Sequence, residues 1–319
     1  MANPTPLLSR RRQLGAKVEA TKGTVQTITA AEAKFLIINP RITPEYENFT
    51  REYLQESLSP KGMITTRKMV RLEFSIEARC TNDSVTADSW GALFQGCGFA
   101  EDATGTPDLV YAPTSSLSTM KTLTLKLFMD GFAVTITGAM GNVEMSASVG
   151  QPMLWNFNFF GVLSAAGDVS LLTITQEAGV PPAFQNLSMT VNTKTPCIES
   201  LSINMNNDVQ PIICANEAEG VEYVAITGRN TELTMNPGLN TEADSNGIDW
   251  WDDYAGDNTL DIDFNVGTSK PLLKFSIPKA QITSISDDDR NGIDVAGLTC
   301  SCVQTSGDDE ITMTKDATP

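Results

Sequence analysis

Few residues of this sequence could do chemistry. Among its 319 residues there is no His, which removes the usual general base, the partner that activates a Ser or Cys nucleophile, and the commonest metal ligand. The densest acidic run, Asp287-Asp288-Asp289-Arg290-Asn291-Gly292, begins like a calcium loop of the D-x-D-x-N-G kind. The twelfth position of that pattern needs a bidentate Glu and holds Leu298. Gln281 to Ser286 and Val295 to Cys302 on either side look like strands, so the run predicts a tight polar turn. Asp249, Asp252, Asp253 and Asp257 could gather a cation or act as an acid pair, but no neutralising or activating group accompanies them. The expectation there is a solvated acidic loop. Cys300 and Cys302 place two sulfurs on one strand face beside Leu298 and are expected to be buried thiols. No phosphate-binding loop, nucleophile elbow or dinucleotide fingerprint occurs. The sequence therefore assigns no catalytic residue, no metal site and no cofactor, and an enzyme is the least supported class. Trp250-Trp251 could stack a sugar, or plug an edge or an interface.

Charge narrows the partners. Lys and Arg number 22 against 39 Asp and Glu, a formal net charge of −17, which repels a nucleic-acid backbone and argues against groove binding. Six Cys without a CxxC pair read as free core thiols of a reducing compartment. No apolar run reaches membrane length, and Arg10-Arg11-Arg12 is not followed by an apolar leader segment, so a soluble chain without a signal peptide is expected. The length accommodates two domains, each with its own core.

The elements that would position these residues are mainly β. Thr122 to Leu163 has apolar residues at every second position, the period of a strand. Leu123, Leu125 and Leu127 share one face, and Asp130-Gly131 offers a two-residue hairpin turn. Phe132, Val134 and Ile136 return. A Gly-rich turn is expected at Gly138 to Asn142, then strands with Val143, Met145 and Val149 inward and Trp155, Phe157 and Phe159 inward. Val70 to Ala78 alternates with Arg71 to Arg79 as a half-buried strand. Trp90, Leu93, Phe94 and Cys97 have helical spacing behind Asp88 as a cap, giving one short flanking helix. Residues 1–34 lack a period and read as an extended N-terminal arm ordered by a partner surface, or as a disordered tail. Phe35 to Ile38 is a short strand, and residues 41–64 are an extended loop projecting from the core. Strands are also expected at Val169 to Ile174 and Leu187 to Val191, with a break at Gly179 to Pro182. More follow near 198–205, 221–227, 231–235, 260–266, 272–277, 295–303 and 310–314.

The centre of the first sheet is echoed later. Ile136-Thr137-Gly138 with Asn142 to Ser146 resembles Ile226-Thr227-Gly228 with Asn230 to Thr234. Leu201 to Met205 stands for Leu123 to Leu127, and Leu273 to Ile277 for Trp155 to Phe159. The reading is an antiparallel β-sandwich or barrel duplicated in tandem. It comprises an arm over residues 1–34, a first domain over 35–178 and a second over 179–319.

Taken in order, several segments resemble the major tail tube proteins of long-tailed, siphovirus-type bacteriophages. They are Ala20-Thr21-Lys22-Gly23-Thr24, the loop with Arg51 and Ser57-Leu58, and the strand Val70 to Cys80. The helix ending Leu93-Phe94-Gln95-Gly96-Cys97-Gly98-Phe99, the Asp130-Gly131 hairpin and the close Ser306 to Ile311 complete the set. The resemblance implies a structural virion protein, assembled in the host cytoplasm, whose subunits join into rings and whose rings stack into the hollow tube that carries the genome out. It implies self-assembly, as a trimer of two-domain subunits or a hexamer. Contacts with tape measure, tail terminator and distal tail proteins are implied too, and DNA would pass without specific binding. A single-domain tube protein needs about half this length, so the extra mass is a duplicated domain or an outward decoration. Within that frame Glu144 and Glu232 hold matching outward positions and, with Asp261 and Asp263, are candidates for the lumen lining. Arg10, Arg11, Arg12, Arg51, Glu52 and Lys61 are candidates for contacts between rings. The alternative is a monomeric β-sandwich that binds carbohydrate or a cell surface.

Overall fold

The computed structural model describes residues 6–80, 88–104, 108–177, 179–267 and 270–316. Its strands are β1 Arg12–Val18, β2 Ile38–Phe49, β3 Ile64–Glu77, β4 Phe99–Asp102, β5 Leu109–Pro113, β6 Leu123–Met129, β7 Gly131–Ser148 and β8 Leu154–Val169. They continue as β9 Met189–Val191, β10 Ile198–Asn204, β11 Asp208–Ile213, β12 Val221–Gly228, β13 Glu232–Pro237, β14 Thr259–Val266, β15 Leu272–Arg290, β16 Ile293–Cys302 and β17 Thr312–Asp316. Two short helices interrupt them, α1 Gly91–Gly96 and α2 Trp250–Ala255. Fifteen strands form one antiparallel sheet in the order β2-β3-β8-β7-β10-β13-β16-β15-β17-β5-β4, with β1, β6, β9 and β14 attached beside it; β11 and β12 pair separately.

The long alternating stretch behaves as its period predicts, except at its Gly-rich centre. The expected turn at Gly138 to Asn142 is not a turn, because β7 runs through it as one 18-residue strand. The pairing with β8 slips between Thr137 and Met140, and the opposite edge of β7 changes partner there, from β6 to β10. Gly138 has φ +57°, and a Cβ on it would lie 2.9 Å from the Tyr223 Cα of β12. The glycine serves a bulge and a close backbone approach rather than a reversal.

A buried carboxylate fixes that bulge. Glu19, 4% exposed, accepts hydrogen bonds from the Gly138 and Gly23 amides at 2.9 and 2.7 Å and from the Thr122 and Thr124 hydroxyls at 2.6 and 2.9 Å. With four donors it is well solvated by protein. The Ala20 to Thr24 segment is therefore tied to the sheet. Residues 12–18, expected in the arm, form β1 against β6, with Leu14 and Ala16 in the core. Two inward residues in so short a strand gave too weak a period to see.

Of the expected loop over 41–64, residues 50–63 do lie outside strands, while residues 41–49 and 64 belong to β2 and β3, which pair as a hairpin from Ile38↔Ser75 to Phe49↔Ile64. Beyond Pro44 the β2 side chains are exposed, so the hairpin leaves the core and no burial pattern marks its outer part. β8 reaches only Val169, and residues 170–177 form no strand. The acidic stretch holds a second helix, α2, whose first turn is capped by the Asp249 carboxylate on the Trp251 and Asp252 amides. Trp250 anchors it in the core while Trp251 is 57% exposed.

Asp88 does not cap α1; Trp90 stands at that position without a side-chain bond. Its carboxylate instead lies 3.1 Å from the Lys315 ammonium, both side chains fully buried. A buried charge needs such a partner, and this one ties the last strand, already lodged between β15 and β5, to the entry of α1. All six thiols are free; Cys97, Cys300 and Cys302 are buried, and Cys197 is exposed. Asn291 and Gly292, both with positive φ, make the expected tight turn between β15 and β16, the pattern of a two-residue hairpin.

A polar sheet face and candidate assembly surfaces

The alternation seen in single strands becomes a feature of the whole sheet. Ser75, Asn156, Glu144, Asn204, Glu232, Ser301 and Gln281 stand opposite one another in turn across β3, β8, β7, β10, β13, β16 and β15. One residue along, Ile76, Trp155, Met145, Ile203, Leu233, Cys300 and Ile282 form the neighbouring row. Every member of this second row is buried. Side chains alternate between faces, so one face is core and the other a continuous polar surface.

Ser146, Ser202, Thr234, Thr299 and Ser284 add a further polar row. The polar side chains bond to each other: Ser202 donates to Glu144 at 3.1 Å, and Asn142 donates to Asn204 at 2.7 Å. The sequence candidates Glu144 and Glu232 are thus brought together, two strands apart. Asp261 and Asp263 lie elsewhere, exposed on β14 at the other edge of β15, with Leu260, Ile262 and Phe264 inward. Burial, with Asp263 nearby, raises the pKa of Asp261.

The candidates for contacts between rings separate into two groups. Arg11 pairs with Asp130 at 2.7 Å and Arg12 donates to the Pro40 carbonyl at 2.8 Å, so both are engaged within the subunit, while Arg10 is exposed. At the hairpin tip Arg51 donates to the Gly62 carbonyl at 2.9 Å, and Glu52 and Lys61 are exposed. The stem is braced by Arg71 with Glu45 at 2.7 Å and Arg67 with Glu47 at 2.9 Å. What charge-based reading missed is the apolar tip: Phe49, Tyr53, Leu54, Leu58, Met63 and Ile64 are all exposed. Leu54 and Leu58 are 107% and 106% exposed, so neither packs against the rest of the subunit. The signal lay in the sequence as large apolar residues within a loop that has no strand or helix period.

No described residues gather three or more metal-ligating side chains into one group. The sequence matches the family described as phage tail tube protein over residues 9–302, nearly the whole chain. No curated protein matches it. The match covers more than nine-tenths of the sequence, and the mainly antiparallel sheet is the fold it comes with here: the chain belongs to the phage tail tube protein family and is a structural, non-enzymatic component of the virion's tail tube.

Proposed function

We infer that copies of this protein join into rings that stack as the tail tube, with the polar face of the long sheet lining the channel through which phage DNA passes. The observation that carries this reading is the division of rows across seven strands: one entirely buried, the next entirely polar and including Glu144 and Glu232. A hydroxyl, amide and carboxylate surface with no free cationic row repels or ignores phosphate and lets DNA slide.

Each chain supplies two similar units. The strand order β2-β3-β8-β7 is followed by β10-β13-β16-β15. In each set the last strand is the longest, 18 and 19 residues, and carries a side pair, β6 with β1 in the first and β14 with β9 in the second. A short helix follows the second strand of each set in the chain, α1 after β3 and α2 after β13. This order supports tandem duplication with the boundary in the stretch between Val169 and Met189. It replaces the equivalence suggested by the sequence echo, which relates β7 to β12 and β13. Three copies then provide six units, and a trimer imitates a six-fold ring. Asp261 and Asp263 join the lining only if β14 borders the channel.

The hairpin tip with Arg51, Glu52 and Lys61, and the N-terminal segment with Arg10, reach the next ring. Tape measure protein occupies the channel during assembly, and terminator and distal tail proteins close the ends. Electron microscopy and mass measurement of the purified protein test the reading: rings or tubes built from three copies are expected. A strict monomer at every concentration and salt overturns it.

A further inference from the structure

The long sheet has an internal joint and two open edges that match it. Inside the chain, β10 pairs antiparallel with the end of β7 through five residues, from Ser200↔Ser148 to Asn204↔Glu144. The corresponding end of β15 has β16 on one side, and on the other β14 stops at Thr259↔Gln281. Residues 284–290 of that edge carry no strand partner among the described residues. At the opposite limit of the sheet, β2 is paired on one side only, with β3. An open strand edge presents unpaired amides and carbonyls and invites another strand.

We propose that β2 of one copy adds to the free end of β15 in the next, repeating between subunits the joint that β10 makes with β7 inside one. The inference rests on the ring reading above and deepens it by naming the surface and its occupant, a second copy of this chain. Strand directions are compatible. All neighbours in the order are antiparallel, so β2 and β10 run one way and β7 and β15 the other.

Register follows from laying the two units over each other by the ends of their long strands, Ser148 and Arg290. Ser286 then takes the place of Glu144 and Asp288 that of Ser146. Across the sheet Ile42 takes the place of Ile203, and Arg41 that of Ser202. Because Ser202 faces Ser146, Arg41 faces Asp288 of the next copy. The chemistry suits the pair. Asp287, Asp288 and Asp289 are exposed and, among the described residues, form no ion pair; neither does exposed Arg41. Three unneutralised carboxylates at a strand end are costly to pair with an ordinary edge, and an opposing guanidinium relieves them. Pro40 and Pro44 have no amide to donate, and the Pro40 carbonyl already accepts from Arg12, so the contact is centred on Arg41 to Thr43, shorter than the five residues that β10 uses.

Two experiments on the full chain test this. Arg41→Cys with Asp288→Cys, oxidised after assembly, should give a thiol-reversible covalent ladder ending at the trimer, because facing Cβ atoms lie about 4.5–5.5 Å apart. Arg41→Cys with Ser284→Cys, four residues out of register, should not. Arg41→Glu or Asp288→Arg alone should raise the concentration needed for ring formation about tenfold, and the two together should restore it. Circular dichroism on each variant separates misfolding from failed assembly, and the restoring pair keeps the test valid if one single variant misfolds. Rings that form from the wild-type chain with neither the ladder nor the charge restoration overturn the edge assignment. Absence of rings from the wild-type chain overturns the ring reading itself.

Discussion

Glu144 and Glu232 face the same residue, Asn204, from its two sides. The row they share is continuous with hydroxyls and amides in five further strands, so two carboxylates provide the charge in an otherwise neutral polar line. Replacing both with Lys should leave rings intact, because neither side chain is in the core, while giving each ring cations that can hold phosphate. Genome ejection from phage carrying the double variant should slow at low salt and recover as salt rises, with a steeper salt dependence than wild type. Ejection unchanged at low salt would mean that this face does not line the channel.

The exposed tip of the β2–β3 hairpin makes a separable prediction. Leu54 and Leu58 bury nothing within the subunit, so Leu54→Asp with Leu58→Asp should not alter the melting transition. Burying such side chains at a contact is worth about 1.5–3 kcal/mol each, and their loss should stop rings from stacking. Electron micrographs should show single rings in place of tubes. Normal tubes from this variant would move the inter-ring contact elsewhere.

Much of this fold was legible in the sequence, and the exceptions have physical causes. Strands with one buried face, such as Val70 to Ile76 and Leu260 to Val266, announced themselves by period two. The outer half of β2 could not, since both its faces are wet, and β1 is too short to establish a period. Gly138 read as a turn because glycine with positive φ serves turns and bulges alike; only the carboxylate of Glu19 and the approach of Tyr223 decide between them. The polar row was half visible. Alternation identifies Glu144 and Glu232 as outward residues, but their common neighbour Asn204 depends on β10 lying between β7 and β13, a pairing no local pattern contains. Asp261 and Asp263 have the same alternation and lie on another strand pair, since alternation gives a face but not which sheet edge the strand occupies.

Glu19 should be among the most costly surface-distant residues to change. Its removal leaves the Gly138 and Gly23 amides and two Thr hydroxyls without an acceptor in a site that is 4% exposed. Glu19→Ala should lower unfolding free energy by about 2–4 kcal/mol, the range for losing charge-assisted bonds and stranding buried donors. Gln restores at most part of this, as its amide offers one acceptor oxygen where the carboxylate has two. Urea unfolding of the three proteins checks the order wild type, Gln, Ala; an alanine variant within 0.5 kcal/mol of wild type, roughly the noise for a surface change, would dismiss the clamp.

Stability should fall at both ends of the pH scale, for opposite reasons. Burial alone would raise the pKa of Glu32, but hydrogen bonds from Thr29 and the charge of Lys17 outweigh it and hold the group at about 2. Asp316, beside Lys270 and Lys274, is likewise lowered against the effect of burial. A carboxylate with a depressed folded pKa stabilises above its unfolded pKa and loses that contribution as pH falls through the folded one. The acid limb should therefore start near the ordinary Glu value of 4.5 and continue toward about 2. On the alkaline side burial pushes the thiols of Cys80, Cys300 and Cys302 up to about 12. Groups raised in this way favour the folded state below their unfolded pKa, and the benefit drains away from the ordinary thiol value of 9.0 upward. Urea midpoints across this range should trace a plateau with two declining flanks. Glu32→Gln should flatten part of the acid flank without touching the alkaline one, and Cys300→Ala should do the reverse. An acid flank that is identical in the Glu32→Gln protein would show that the Thr29 and Lys17 contacts contribute nothing to folding.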